Sequence, residues 1–161
     1  MSVKKLVFSA VIAAAYAALT LLLAPISFAA VQLRVSEALC VLPFFVPSSM
    51  WGLFVGCVLA NLVGGFGMLD IVFGSLATLL AAYLTSKTKS KALAPLPSVL
   101  VNAVVVGAVI AYSTAPGAFW VSFPIIALQV GAGQLGACYG IGLPLMYALE
   151  RLPLFKRLSS V

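Results

Sequence analysis

The sequence has no histidine and only three acidic residues in 161, against nine lysines and arginines. Each shortage removes a class of chemistry. Without imidazole there is no ordinary proton shuttle near neutral pH and no histidine-ligated metal centre. Glu37, Asp70 and Glu150 lie far apart in the chain, so no carboxylate pair is evident for a metal or an acid–base dyad. No serine has an evident base beside it, and an enzyme is not expected. The phosphate-cradling pattern G-x-x-x-x-G-K-[ST] is also missing, so the chain does not hold a nucleoside triphosphate by that device. Charge itself is scarce: charged residues make up 7%, against roughly 25% in soluble domains.

What is present is apolar. Hydrophobic residues reach 64% and the mean hydropathy is +1.23, which marks an integral membrane protein. At about 20 residues per spanning helix, residues 1–161 form one compact all-α transmembrane domain with room for five or six spans. No space remains for a soluble catalytic domain. Cys40, Cys57 and Cys138 all sit in apolar runs without C-x-x-C spacing, so they read as packing residues rather than as a disulfide framework or a zinc site. No cofactor and no metal are expected.

The opening MSVKKLVFSAVIAAAYAALTLLL has the Lys4-Lys5 start of a secretory signal, but its apolar run reaches Leu23 and is long enough to span. It is read as the first span, about Val3–Ala24, stopped at Pro25. After a loop over Ile26–Leu33, the second span runs from about Arg34 to Val46, interrupted by Pro43 and ended by Pro47. The third covers about Ser49–Val63 and ends in Gly64-Gly65-Phe66-Gly67, and the fourth about Leu69–Thr85. The polar stretch Ser86–Lys91 follows, then a fifth span over about Leu96–Ser113. An outer loop over Thr114–Val121 leads to a sixth span over about Phe123–Leu149. Counted along these spans, eight of the nine bases fall on one side, which the distribution of positive charge makes cytoplasmic, with both termini inside. Arg34 alone is outside, and Glu37, Asn61 and Asp70 go with it.

Ionisable groups at membrane depth cost about 2.5–3.5 kcal/mol each on insertion scales, so those that remain are paired, cavity-lining or functional. Arg34 and Glu37, three residues apart, have two readings: a pair at the interface or part of a binding rim. Asp70 is either a helix cap or a ligand contact. Asn102, Gln129 and Gln134 fall near mid-membrane, where an amide must find a partner, as interhelical glue or as a pocket lining. Small residues recur every four positions at Ala10, Ala14 and Ala18, and at Gly52, Gly56, Ala60 and Gly64. Such stripes let backbones approach closely, within the bundle or against a partner helix. Gly131–Gly136 formally matches G-x-G-x-x-G, but with no strand before it the run is a packing stripe.

The runs Gln32-x-Arg34-x-Ser36-Glu37-Ala38-Leu39, Ala60-Asn61-Leu62-x-Gly64-Gly65 and Leu69-Asp70-Ile71-x-Phe73-Gly74-Ser75-Leu76-Ala77-Thr78 closely resemble the QueT family. The resemblance covers nearly the whole chain. It implies a six-helix substrate-binding S component of an energy-coupling-factor (ECF) transporter in the plasma membrane, with its ligand near the outer face. It further implies partnership with a transmembrane coupling subunit and two ATPases, and a 7-deazaguanine ligand such as 7-aminomethyl-7-deazaguanine or queuine. Small residues on the first helix, here Ala10, Ala14 and Ala18, commonly face the coupling subunit in proteins of this type. The ligand's adjacent N–H donors suit a carboxylate and its aminomethyl cation a second acid, roles for Asp70 and Glu37. Asn102, Gln129 or Gln134 would bond the carbonyl or ring nitrogens, and Trp120, Phe119 or Phe28 would stack on the ring. Arg34 and Asn61 complete the expected rim, Arg34 as Glu37's partner or a gate. Other readings are an S component for a different vitamin-like compound, a stand-alone secondary transporter or channel, and a structural membrane protein.

Overall fold

The computed structural model describes residues 3–27, 33–65 and 67–152, and these are helical almost throughout. Helix α1 runs Val3–Leu22, and a single turn, α2, covers Ala24–Ser27. A ten-residue 3-10 helix, Val35–Phe44, leads to α3 at Ser49–Val63. A π-helical turn at Asp70–Gly74 runs into α4 at Ser75–Lys87, and α5 covers Leu96–Thr114. The last helical run comprises α6 at Phe119–Leu135, a π-helical stretch at Gly136–Gly142 and α7 at Leu143–Glu150. Among the described residues three runs are long and apolar enough to cross a membrane: Val3–Leu22, Lys91–Thr114 and Pro116–Glu150. Val35–Phe44 and Ser49–Val63 are shorter apolar helices.

Several boundaries differ from expectation, each for a local reason. Pro25 does not end the helical region, because it sits at the start of the separate turn α2, where its missing N–H costs nothing. The expected loop over Ile26–Leu33 therefore begins inside α2, and residues 28–32 lie outside the described residues. The expected outer loop over Thr114–Val121 is mostly helical. Pro116–Ala118 forms a 3-10 turn, and Phe119 already opens α6, with its ring stacked 5.5 Å from Phe123. The expected sixth helix is one continuous run, but its middle widens into π geometry. At 35 residues the run is about 50 Å long, well beyond the ~30 Å hydrocarbon core.

The helix Val35–Phe44, expected as the second span, is short because it is wound differently. A 3-10 helix rises about 2.0 Å per residue rather than 1.5, so ten residues cover about 20 Å. It is also the most enclosed element: Ser36, Glu37, Ala38, Cys40, Val41, Leu42 and Pro43 are all buried. The π stretch supplies room beside it, since a Cβ on Gly142 would lie 3.0 Å from the Ala38 carbonyl oxygen.

Around this rod α1 and α3 run parallel. A Cβ on Gly52 would run into the Ser9 carbonyl oxygen, and one on Gly56 would lie 2.8 Å from that of Ala13. Ala60, the next member of the stripe, is fully buried, so this stripe packs within the bundle. The Ala10, Ala14 and Ala18 stripe is exposed on the other side of α1. Helices α5 and α6 are antiparallel, Gly107 meeting Ala127 and Gly131 meeting Ala103, which makes the Gly131–Gly136 run a packing surface as expected. At the end where α4 finishes, Lys91 Nζ pairs with Glu150 Oε1 at 2.6 Å and joins the α4–α5 loop to the end of α7.

The two faces of α1 predict opposite responses. Gly56→Leu must push α1 and α3 apart and should lower stability by about 3 kcal/mol, whereas Ala14→Leu should stay within about 0.5 kcal/mol of the parent. Thermal melting in detergent reads both. Equal losses would mean that α1 packs through the wrong face.

Candidate functional site

In a 3-10 helix residues three apart eclipse, so Arg34, Glu37 and Cys40 stand in one row along the central rod. Glu37 is 1% exposed and collects donors from three elements. Tyr16 on α1 donates its hydroxyl to Oε1 at 2.5 Å. The Cys40 thiol and Asn102 Nδ2, on α5, donate to Oε2 at 3.0 and 3.2 Å. Cys138, in the π stretch, places its Sγ 3.5 Å from both the Glu37 carbonyl oxygen and Gln134 Oε1, and its single thiol hydrogen serves one of these acceptors at a time. One turn further along α1 from Tyr16, Thr20 Oγ1 donates to the Tyr16 carbonyl at 2.8 Å and lies 2.7 Å from Ser36 Oγ. Thr20 has a single hydroxyl hydrogen, so Ser36 is the donor in that second bond.

A second polar group lies beside the first. Asn61, fully buried in the last turns of α3, donates Nδ2 to the Asp70 carbonyl at 3.1 Å and to Cys57 Sγ at 3.6 Å. Thr78 Oγ1 on α4 reaches the same sulfur at 3.4 Å. The Asp70 carbonyl thus accepts a side chain within its own helical ladder. Such an insertion is a recognised cause of local distortion, and π turns gather at functional sites. Arg34, 5% exposed, is close enough to feel the charge of both Glu37 and Asp70.

Six of the expected residues therefore occupy one region: Arg34, Glu37, Asn61, Asp70, Asn102 and Gln134. Asp70 does not cap its helix: no side-chain capping bond is made at that start, and its own N–H donates to the Gly67 carbonyl at 2.9 Å. Among the described residues no side chain donates to its carboxylate. Asn61 Oδ1 and Asn102 Oδ1 are buried acceptors without a hydrogen bond among the described residues. Gln129 is half-buried on α6. Trp120 is 84% exposed and meets Phe119 edge-on at 5.2 Å. Phe28 lies outside the described residues. Phe119, by contrast, lines a crevice of about 620 Å³ with Leu69, Phe73, Val104, Val105, Ala108, Val109 and Tyr112.

Tyr16 and the cysteines were not anticipated as polar partners. Tyr16 is the one ring carrying a hydroxyl in the alanine-rich first span, which is a usable signal. The cysteines carry none, because a buried thiol packs like a small hydrophobe until a carboxylate is placed beside it. All three are free and buried, yet Cys40 and Cys138 also serve as donors and Cys57 as an acceptor. Their expected role as packing residues alone was too narrow.

Residues 6–151 match the model of a family described as QueT transporter. Neither the curated proteins nor the solved structures give a match.

Proposed function

Because the chain belongs to the QueT transporter family, a family of multi-pass plasma-membrane transporters and not of enzymes, we propose that it is the substrate-binding S component of an ECF transporter. Its ligand in this reading is a 7-deazaguanine such as 7-aminomethyl-7-deazaguanine or queuine, taken up from outside. The observation that carries the reading is the convergence of Arg34, Glu37, Asn61, Asp70, Asn102 and Gln134 in an otherwise apolar bundle.

The hydrogen bonds within the cluster support a division of roles. Both Glu37 oxygens already have donors, so Glu37 orders the floor of the site. The Asp70 carboxylate is open to the paired N–H groups of the guanine edge, a bidentate arrangement of the strong kind. Asn61 Oδ1 and Asn102 Oδ1 accept further ligand N–H groups, Gln134 and Gln129 face the remaining polar edge, and Arg34 gates it. Phe119, Phe73 and Tyr112, which line one crevice with Leu69, supply flat surfaces for the ring in this reading.

The proposed topology has six spans with both termini cytoplasmic. It is supported by the parallel run of α1 and α3, the antiparallel α5 and α6, and the Lys91–Glu150 pair between two stretches assigned to the same side. The exposed Ala10, Ala14 and Ala18 face would dock a transmembrane coupling subunit that works with two ATPases. Titration calorimetry with 7-aminomethyl-7-deazaguanine should give one site per chain. Uptake in proteoliposomes should need the coupling subunit, the ATPases and ATP. Uptake by this chain alone would favour a secondary transporter instead.

A further inference from the structure

At the end of the bundle where α4 finishes, a crevice of about 370 Å³ opens between α4 and α5. Its wall is apolar, built from Leu84, Leu93, Leu96, Pro97, Leu100 and Val101, and its rim carries Lys87. From Leu93 to Leu100 is about 10 Å along a helix at 1.5 Å per residue, the length of several methylenes of an acyl chain.

The charge at this end is one-sided. Of the three acids, Glu37 and Asp70 belong to the buried site, and Glu150 is held by Lys91 through both of its oxygens at 2.6 Å. Lys87 is exposed, its ammonium 5.5 Å from the centre of the Tyr83 ring, and Lys89 stands two residues further on. No described carboxylate pairs with Lys87. A cation at the mouth of an apolar slot, at the level where a spanning helix ends, complements one class of molecule: an anion with a hydrocarbon tail. We propose that this crevice is a specific site for an anionic phospholipid, its phosphate at Lys87 with Lys89 nearby and one acyl chain along Leu93, Leu96 and Leu100. Basic pockets between membrane helices recognise such headgroups through the attraction between lysine ammonium and lipid phosphate. The site is independent of the ligand assigned to the buried cluster.

Native mass spectrometry of the purified chain with phosphatidylglycerol and phosphatidylcholine tests it. The parent should retain the anionic lipid preferentially. Lys87→Gln should weaken that retention about fivefold, and Leu100→Trp, which fills the slot without changing charge, should weaken it as well. Lys4→Gln removes the same charge from the same end but away from the crevice, and should change retention less than twofold. Equal retention of the two lipids by the parent would overturn the proposal. So would equal losses in Lys87→Gln and Lys4→Gln, which would mean general surface charge, or competition by glycerol phosphate without a tail. An unchanged Leu100→Trp variant would also overturn it.

Discussion

Asp70→Ala should abolish ligand retention while leaving the bundle folded. The carboxylate is half-buried at the start of a π turn and accepts from no described side chain, so its loss breaks no side-chain hydrogen bond among the described residues. A bidentate bond to adjacent N–H groups, with each charged hydrogen bond contributing about 1.5–3 kcal/mol, corresponds to a loss of at least 10²-fold in affinity. Asp70→Asn keeps the shape and one acceptor but faces the ligand with an N–H₂, and should recover little. Calorimetry reads the affinity and thermal melting the fold. Unchanged affinity in Asp70→Ala would remove Asp70 from the site.

Glu37→Ala should fail in the opposite way, through the fold. Removing this carboxyl leaves the Tyr16 hydroxyl, the Cys40 thiol and the Asn102 amide without their acceptor at membrane depth. An orphaned buried donor costs about 1–3 kcal/mol, so the sum reaches about 3 kcal/mol or more, a large share of a domain's total stability. Low yield or a melting point many degrees down is expected. Glu37→Gln keeps an acceptor for Tyr16 but points N–H groups at two donors, and should fall between parent and alanine. A Glu37→Ala variant as stable as the parent would mean that the three donors have other partners.

These two outcomes also separate what the chain's residues reveal from what they conceal. The membrane class, the helix at Ser49–Val63 and the list of costly polar residues follow from composition and periodicity, because fat tolerates few such groups and each must be accounted for. Depth is harder to read. Glu37 was expected at the outer rim and Asn102 near mid-membrane, yet the two are bonded at 3.2 Å. The second span was counted as an α-helix, whereas its 3-10 winding stretches the rod and lines up Arg34, Glu37 and Cys40. Winding of this kind depends on what packs around a segment, here the π stretch, α4 and α1. It leaves little trace in a ten-residue apolar run containing Pro43. The π turns at Asp70–Gly74 and Gly136–Gly142 are equally silent, since both read as ordinary helix.

The small-residue stripes show the same division. Spacing alone makes the α1 and α3 stripes equivalent, and only the crossing of Gly52 and Gly56 over Ser9 and Ala13 assigns one to the interior. The α1 stripe is left facing outward, as a docking face requires. If Ala14→Trp leaves ligand affinity intact but prevents co-purification with a coupling subunit, that face is the contact. Intact assembly would move the contact elsewhere.

The most direct measurement is the mass of the compound released when the purified protein, taken from cells in mild detergent, is denatured. The account predicts a 7-deazaguanine in near-stoichiometric amount from the parent and none from Asp70→Ala. A released compound without adjacent N–H donors on a flat ring would contradict it, as would the same 7-deazaguanine recovered equally from both proteins.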